Sequence, residues 1–231
     1  MSLDPNPFLV SKDCIELGLR SGAVLFRDLR VEPASAELRL RIDAEFEELL
    51  REFPGVRDLR ETPEVARYRE ILRGVGVKPK KQPPSVESLF QFAVKRGQLP
   101  AINNLVDTYN MISVRSRCSM GAHDLDLISL PVELRFLRGD ESFIPLGSRE
   151  KQEVRAAEFG YVDAENRLLC RLDVLQADFS KVTTRSRNVL MIIEGTVDHA
   201  PGAMQRIFDE TVERVRDACG GEAEVVVAPL D

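Results

Sequence analysis

Residues 102–126 read INNLVDTYNMISVRSRCSMGAHDLD, and the periodicity of this stretch decides how the rest of the chain is arranged. Ile102, Leu105, Val106, Tyr109 and Ile112 fall three or four residues apart, the spacing of one buried helical stripe. Asn103, Asp107 and Asn110 repeat at the same spacing on another face. Short amide and carboxylate side chains compete for local backbone groups and are mediocre helix formers. Three of them aligned on one helix need a reason: a fixed polar network is one reading, a bound ligand the other.

Upstream, residues 14–31 read as two short strands joined by a turn at Ser21-Gly22, with Ile15, Leu17 and Leu19 alternating in the first and Val24, Leu25 and Phe26 in the second. Residues 33–53 read as a helix with Pro33 in its first turn and Pro54-Gly55 as its stop. Thr62-Pro63-Glu64 opens another, apolar at Val65, Tyr68, Ile71 and Leu72. The segment KPKKQPP at 78–84 is proline-rich, basic and linker-like. Ser85 is a natural N-cap for a helix that carries Val86, Leu89, Phe90 and Ala93 inward and ends at Lys95-Arg96-Gly97. Arg67, Arg69, Arg73, Lys78, Lys80, Lys81, Lys95 and Arg96 therefore precede the Asn/Asp helix, opposed by Glu70 and Glu87.

Downstream the pattern changes to strands. Residues 132–136 alternate, 143–147 read as strand then turn, and 159–162, 168–172 and 188–193 supply further strands, with 163–166 connecting two of them. A last helix at 202–218 precedes Gly220-Gly221 and a strand at 225–227. Strands and helices that do not alternate strictly predict an α+β fold, with mixed or antiparallel sheets and packed helices. Residues 1–231 are read as one domain. The alternative subdivision is a helix-rich lobe over 1–126 and a strand-rich lobe over 127–231.

The sequence has 231 residues, 43% hydrophobic and 30% charged, within the range of a globular protein with a sizeable core. Met1, Ser2 and Leu3 are given no structural weight. No apolar run is long enough to span a bilayer, and no charged segment followed by an apolar one opens the chain, so a cytoplasmic protein away from membranes is expected. Cys14, Cys118, Cys170 and Cys219 are widely spaced with no C-x-x-C pair, which reads as reduced thiols rather than a zinc site; no metal or cofactor is expected. The formal net charge of −6 argues against coating nucleic acid, DNA included, but leaves room for a local basic patch that grips one RNA end.

The common catalytic signatures are missing: no phosphate-binding glycine loop, no G-x-G-x-x-G, no H-E-x-x-H and no G-x-S-x-G. Cys118 stands between Arg117 and Ser119 in a basic loop, where a thiol could be activated or merely packed. His123, beside Asp124, is a candidate general base or a surface residue.

The string N-N-L-V-D-T-Y-N, then a loop and D-L-D-L-I, resembles the editing module of the phenylalanyl-tRNA synthetase beta subunit, its third and fourth domains (B-three/B-four). Tyr68 to Leu72, Gly76-Val77, Lys80, Pro84-Ser85 with Glu87, and Leu99 to Asn103 extend the likeness to free-standing relatives of that module, over roughly residues 60–195. The resemblance implies hydrolysis of mischarged aminoacyl-tRNA, chiefly tyrosine on phenylalanine tRNA, and no aminoacylation core. It implies catalytic roles for Asn110 and His123, and a substrate pocket lined by Asn103, Asn104, Asp107, Tyr109, Gly121 and Asp178. Asp178 matches the family's glutamate that accepts the tyrosine hydroxyl, Tyr109 stands where the family often has threonine, and Gly121 replaces the family's histidine, two positions before His123. Lys78, Lys80, Lys81, Lys95 and Arg96 are the expected contacts to the tRNA acceptor end. The alternative function is a non-catalytic module that binds a free amino acid, another small ligand or another RNA.

Overall fold

A computed structural model describes residues 6–227. Residues 1–3, given no structural weight above, lie outside the described residues. In chain order the elements are β1 (Phe8–Val10), α1 (Lys12–Glu16), β2 (Leu19–Arg27), α2 (Ala36–Glu52), α3 (Val56–Arg60), α4 (Pro63–Gly74), α5 (Ser85–Arg96) and α6 (Asn104–Ser116). Then follow β3 (Ser119–Asp124), β4 (Val132–Phe136), β5 (Phe159–Val162), β6 (Leu168–Arg171), β7 (Leu175–Gln176), β8 (Val189–Thr196), α7 (Ala203–Cys219) and β9 (Glu222–Val227).

The strands form two sheets, and the fold is α+β as the pattern predicts. One sheet has the order β3-β8-β2-β9 and is antiparallel throughout; the other has the order β1-β4-β5-β6-β7, with β1 and β4 parallel. The four-stranded sheet draws its strands from residues 19–27, 119–124, 189–196 and 222–227, so sequence-distant segments meet at its centre.

Strand alternation sorts the side chains of that sheet onto two faces. Val24, Phe26, Val189, Met191, Ile193 and Ala122 pack with Leu105, Val106, Tyr109 and Ile112 of α6 and with Phe208 and Val215 of α7. Ala23, Leu25, Leu190 and Ile192 point the other way, into a core shared with Phe159, Tyr161 and Leu169 of the five-stranded sheet and Tyr68, Ile71 and Leu72 of α4. Three layers result: helices α6 and α7, the four-stranded sheet, and the five-stranded sheet flanked by α4. A third cluster joins α2, α3, α5 and the remaining face of α6 through Phe46, Phe90, Met111 and Val114. A Cβ at Gly195 would overlap the sulfur of Met204, so glycine there lets α7 close onto β8.

Several sequence expectations need correction. The loop expected after α6 is largely strand β3, and the N-cap of α5 is Pro84, with Ser85 as the first helical residue and no side-chain cap. The turn expected at Ser21-Gly22 is interior to β2: both residues are buried, and Ser21 and Gly22 pair with Glu194 and Ile193 of β8. The ladder to β8, together with burial, overrides the turn propensity of that dipeptide. What precedes it is not a strand but α1, capped by the Ser11 hydroxyl, which accepts from the Cys14 amide. The strand expected at 143–147 is absent; the segment makes only isolated bridges at Ser142 and Pro145, and its apolar Phe143 fills a small cluster with Leu137, Val154 and Leu168. Finally, Ile102 is not part of the buried stripe: it precedes α6 and is 60% exposed.

Candidate functional site

The polar row on α6 resolves into a structural network. Asn103 is the N-cap, its Oδ1 accepting from the Val106 amide at 2.8 Å. Asp107 accepts from the Ile102 amide at 2.8 Å and from Arg39 at 3.1 Å, and Arg39 also donates to the carbonyls of Leu99 and Pro100. Asn104 ties three segments together: Oδ1 accepts from the Glu32 amide, and Nδ2 donates to the carbonyls of Arg30 and Ala218. Tyr109 packs in the core between α6 and the sheet. Asn110 is half-buried on the same helix. These residues lie behind the four-stranded sheet.

The front of that sheet holds a cavity of about 130 Å³ between the two sheets. Ser119, Gly121 and His123 project into it from alternate positions of β3, and Ile192 and Glu194 from alternate positions of β8. Tyr161 of β5, Cys170 of β6, and Asp173, Val174 and Gln176 from the turn into β7 form the facing wall; Ser85, at the start of α5, closes one side. Gln176 holds β7 to β3 by donating from Nε2 to the Ala122 carbonyl at 3.0 Å.

Glu194 and Asp173 dominate the electrostatics. Glu194 is 1% exposed and Asp173 6%. Tyr161 Oη donates to Glu194 Oε2, Ser21 Oγ lies 3.0 Å from that phenol, and Tyr68 Oη donates to the Glu194 carbonyl. Asp173 Oδ2 accepts from the Ser85 amide at 3.2 Å, and Ser85 Oγ lies 2.6 Å from Ser119 Oγ. The remaining oxygen of each acid, Glu194 Oε1 and Asp173 Oδ1, has no hydrogen-bonding partner. Burial pushes both carboxyls up from the ordinary range, and at Glu194 the neighbouring Asp173 charge adds to the rise.

His123 is 1% exposed, with Nδ1 2.9 Å from Ser180 Oγ. Burial holds its pKa down at about 4, so the imidazole is neutral at pH 7 and Nε2 is free to accept when Nδ1 carries the proton. A Cβ at Gly121 would lie 3.9 Å from His123 Nε2, so the imidazole reaches the space beside position 121 from two residues along the same strand face.

Of the sequence-predicted site, then, the cavity brings together Gly121 and His123. Asp178 stands apart, bonded to the Gly147 amide at 3.0 Å and ion-paired with Lys181 at 2.8 Å. Lys78, Lys80 and Lys81 line an open groove with Arg73 and Val77, in the segment that runs directly into Ser85 at the cavity. Lys95 and Arg96 sit at the opposite end of α5, where Arg96 stacks over Phe92 at 5.7 Å. The expectation of one cleft containing Asn110, His123 and Asp178 is not met, because the sheet separates α6 from the cavity and Asp178 turns outward to Lys181.

Glu194, Asp173, Tyr161, Ser85 and Ser119 were missed. Glu194 left a trace: it is the one charged residue in the run NVLMIIEG, on the strand face that otherwise carries Leu190 and Ile192. A lone acid on an inward face is a functional-site signal. Among the described residues, no group of three or more His, Cys, Asp and Glu is placed to hold a metal ion, the four cysteines are free, and no helix is long and apolar enough to cross a membrane.

The B3/4 domain family model matches residues 67–203, a span that contains every residue lining the cavity. The chain is 29% identical over 115 residues to the phenylalanine–tRNA ligase beta subunit of Methanococcus vannielii, covering 41% of this chain and 21% of that protein. The match thus spans about a fifth of that relative's length. In fold, the chain is similar to the crystal structure of an N-terminal fragment of the phenylalanyl-tRNA synthetase beta subunit from Pyrococcus horikoshii, with a TM-score of 0.50 and 14% identity over 94% of this chain and 49% of that one.

Proposed function

The chain belongs to the B3/4 domain family, and from that premise we propose that it binds the acceptor end of an aminoacylated tRNA and hydrolyses the aminoacyl ester in trans. The observation that carries this reading is the polar cavity between the sheets, lined by Ser85, which follows in the chain shortly after the basic segment that contains Lys78, Lys80 and Lys81. Phosphates along the groove would leave the terminal ribose near Ser85 and the aminoacyl group inside.

The chemistry asked of the protein is modest. Water adds to the ester carbonyl, the carbon–oxygen bond to the ribose breaks, and the ribose oxygen leaves with a proton, giving free amino acid and free tRNA. An aminoacyl ester is already activated, so orienting the water supplies much of the gain. A His123 imidazole with a pKa near 4 is a poor proton acceptor at pH 7, so its role is to accept a hydrogen bond from the water through Nε2 and aim it. Ser85 and Ser119 are the hydroxyls within the cavity that can donate to the developing oxyanion.

The same weak basicity favours a second reading, a module that binds an amino acid without cleaving its ester. Incubation with tRNA charged separately with alanine, phenylalanine and tyrosine decides between them. Faster release of at least one amino acid than in buffer, reduced in His123→Ala, supports hydrolysis. Release of all three at the rate seen without protein rejects it.

A further inference from the structure

The protein treats its buried acids in two ways. Glu87 pairs with Arg69 at 2.7 Å and Arg60 at 2.8 Å, Asp107 with Arg39, Glu141 with Arg135, Asp163 with Arg167, and Glu158 with Arg171. A buried carboxylate needs such a partner, because desolvation of the charge otherwise opposes folding. Glu194 and Asp173, which face the cavity, have no arginine, lysine or histidine partner among the described residues, and each keeps one oxygen without a hydrogen bond. The remaining buried acid, Asp124, has no cation either but is satisfied by the Ser186 hydroxyl and the Asp126 amide. Only Glu194 and Asp173 combine the lack of a cation with an unpartnered oxygen, among the described residues, and both line the cavity.

We propose that the cavity binds a primary ammonium group, held between Glu194 Oε1 and Asp173 Oδ1, and that it selects a small amino acid over an aromatic one. This inference rests on the proposed function for the source of the group, the α-ammonium of an aminoacyl ester, while the recognition itself is independent of hydrolysis. An ammonium carries three donors and no acceptor, which suits a site whose unsatisfied atoms are both acceptors. A hydroxyl offers one donor and leaves an acid oxygen unpaired. The size limit follows from the volume. The cavity measures about 130 Å³. Sites that enclose larger organic ligands measure roughly 300–1,000 Å³. A phenol ring does not fit beside the ammonium unless the walls formed by Tyr161 and Val174 part.

Two neutral isosteres isolate the charge. Alaninamide, lactamide and tyrosinamide are titrated calorimetrically, at millimolar concentration and neutral pH, into the full chain and into Glu194→Gln and Asp173→Asn. Alaninamide is expected to bind at least about tenfold tighter than lactamide, in which a hydroxyl replaces the ammonium, and tighter than tyrosinamide. Both variants should lose that preference while melting at or above the temperature of the parent chain. Equal binding of alaninamide and lactamide, absence of alaninamide binding, or a preference unchanged in both variants overturns the ammonium site. Tighter binding of tyrosinamide overturns the size limit. Failure of the proposed function is separable: alaninamide binding that depends on Glu194, with no release of any amino acid from tRNA, rejects hydrolysis and leaves this inference standing.

Discussion

The two faces of the four-stranded sheet carry comparable numbers of buried polar groups and treat them in opposite ways. Behind the sheet, Asn103, Asn104 and Asp107 are matched to backbone amides, carbonyls and Arg39. In front, Glu194 and Asp173 each keep an unmatched oxygen beside a cavity. Buried polar groups are overwhelmingly satisfied in folded proteins. Gln82 Nε2 and Arg117 Nε are also unpartnered, but only the two acid oxygens belong to residues that line a cavity together, among the described residues. The Asn/Asp helix is the conspicuous feature of the sequence, yet its polar groups are bound up in holding the fold; the proposed site is on the side where satisfaction fails.

Removing a satisfied group should produce the largest effect. Asn104→Ala removes three hydrogen bonds at once, those to the carbonyls of Arg30 and Ala218 and from the Glu32 amide, at a cost of about 3 kcal/mol. For a chain of this length that corresponds to a fall in Tm of roughly 10 °C, read by calorimetry. Loss of ligand binding or hydrolysis with an unchanged Tm would show that the helix serves the site directly and would collapse the contrast between the faces.

Removing an unsatisfied group should do the reverse. Glu194→Gln keeps an acceptor for Tyr161 and deletes a carboxyl whose ionised form is disfavoured by burial and by Asp173. Each unit by which folding raises a carboxyl pKa corresponds to about 1.4 kcal/mol at a pH where the unfolded group is ionised. A gain of about 2 kcal/mol at pH 8 is expected, together with loss of alaninamide binding. Destabilisation at pH 8 would mean that the acid supports the fold like those paired with arginine.

The pH dependence sharpens the same point. Glu194 and Asp173 hold protons more tightly folded than unfolded, so their contribution is fully present below the ordinary carboxylate range, about 4, and is lost as pH rises through their elevated values. His123 has the opposite sign: its pKa falls to about 4, so its contribution is present above about 6.5 and is lost as pH drops toward 4. In the double variant Glu194→Gln/Asp173→Asn, Tm should decline less from pH 5 to pH 8 than in the parent chain, and His123→Gln should soften the acid limb alone. An identical decline in parent and double variant would exclude these acids as its source.

How much of this was legible depended on whether the determining contacts were local. Helices α2, α4, α5 and α7 lie close to their expected bounds because Pro54-Gly55, Thr62-Pro63, Gly97 and Gly220-Gly221 are punctuation that acts over a few residues, although α2 starts after Ser35 rather than at Pro33 and α5 is capped by Pro84 rather than Ser85. Strand β2 was misread at Ser21-Gly22 because its conformation there is imposed by β8, more than 160 residues away in sequence. The site shows the same limit. Gly121 and His123 share β3, although that stretch was expected as a loop; Asp173, Tyr161, Ser85 and Glu194 come from separate elements and meet only when the sheets pack. Asp178 was chosen because the resemblance matches it to the family's glutamate, and a resemblance says nothing of Lys181, with which it is ion-paired.

The smallest structural effect, and the one that tests how the cavity communicates with RNA, belongs to the exposed lysines. Lys80 and Lys81 line an open groove in the segment that precedes Ser85, whereas Lys95 and Arg96 lie at the far end of the twelve residues of α5, about 18 Å along its axis from Ser85. None of the four has a salt bridge among the described residues, so glutamine at any of them should change stability by less than about 0.5 kcal/mol. Their binding effects should differ. Each phosphate neutralised by a lysine contributes about −0.7 to the slope of log affinity against log salt for single-stranded nucleic acid. Lys80→Gln/Lys81→Gln should therefore flatten the slope for tRNA by roughly 1.4, measured by filter binding across a salt series, and Lys95→Gln/Arg96→Gln by less. A larger effect from the distal pair would put the RNA along the length of α5 instead, with its terminal ribose too far from Ser85 for the cavity to receive what it carries.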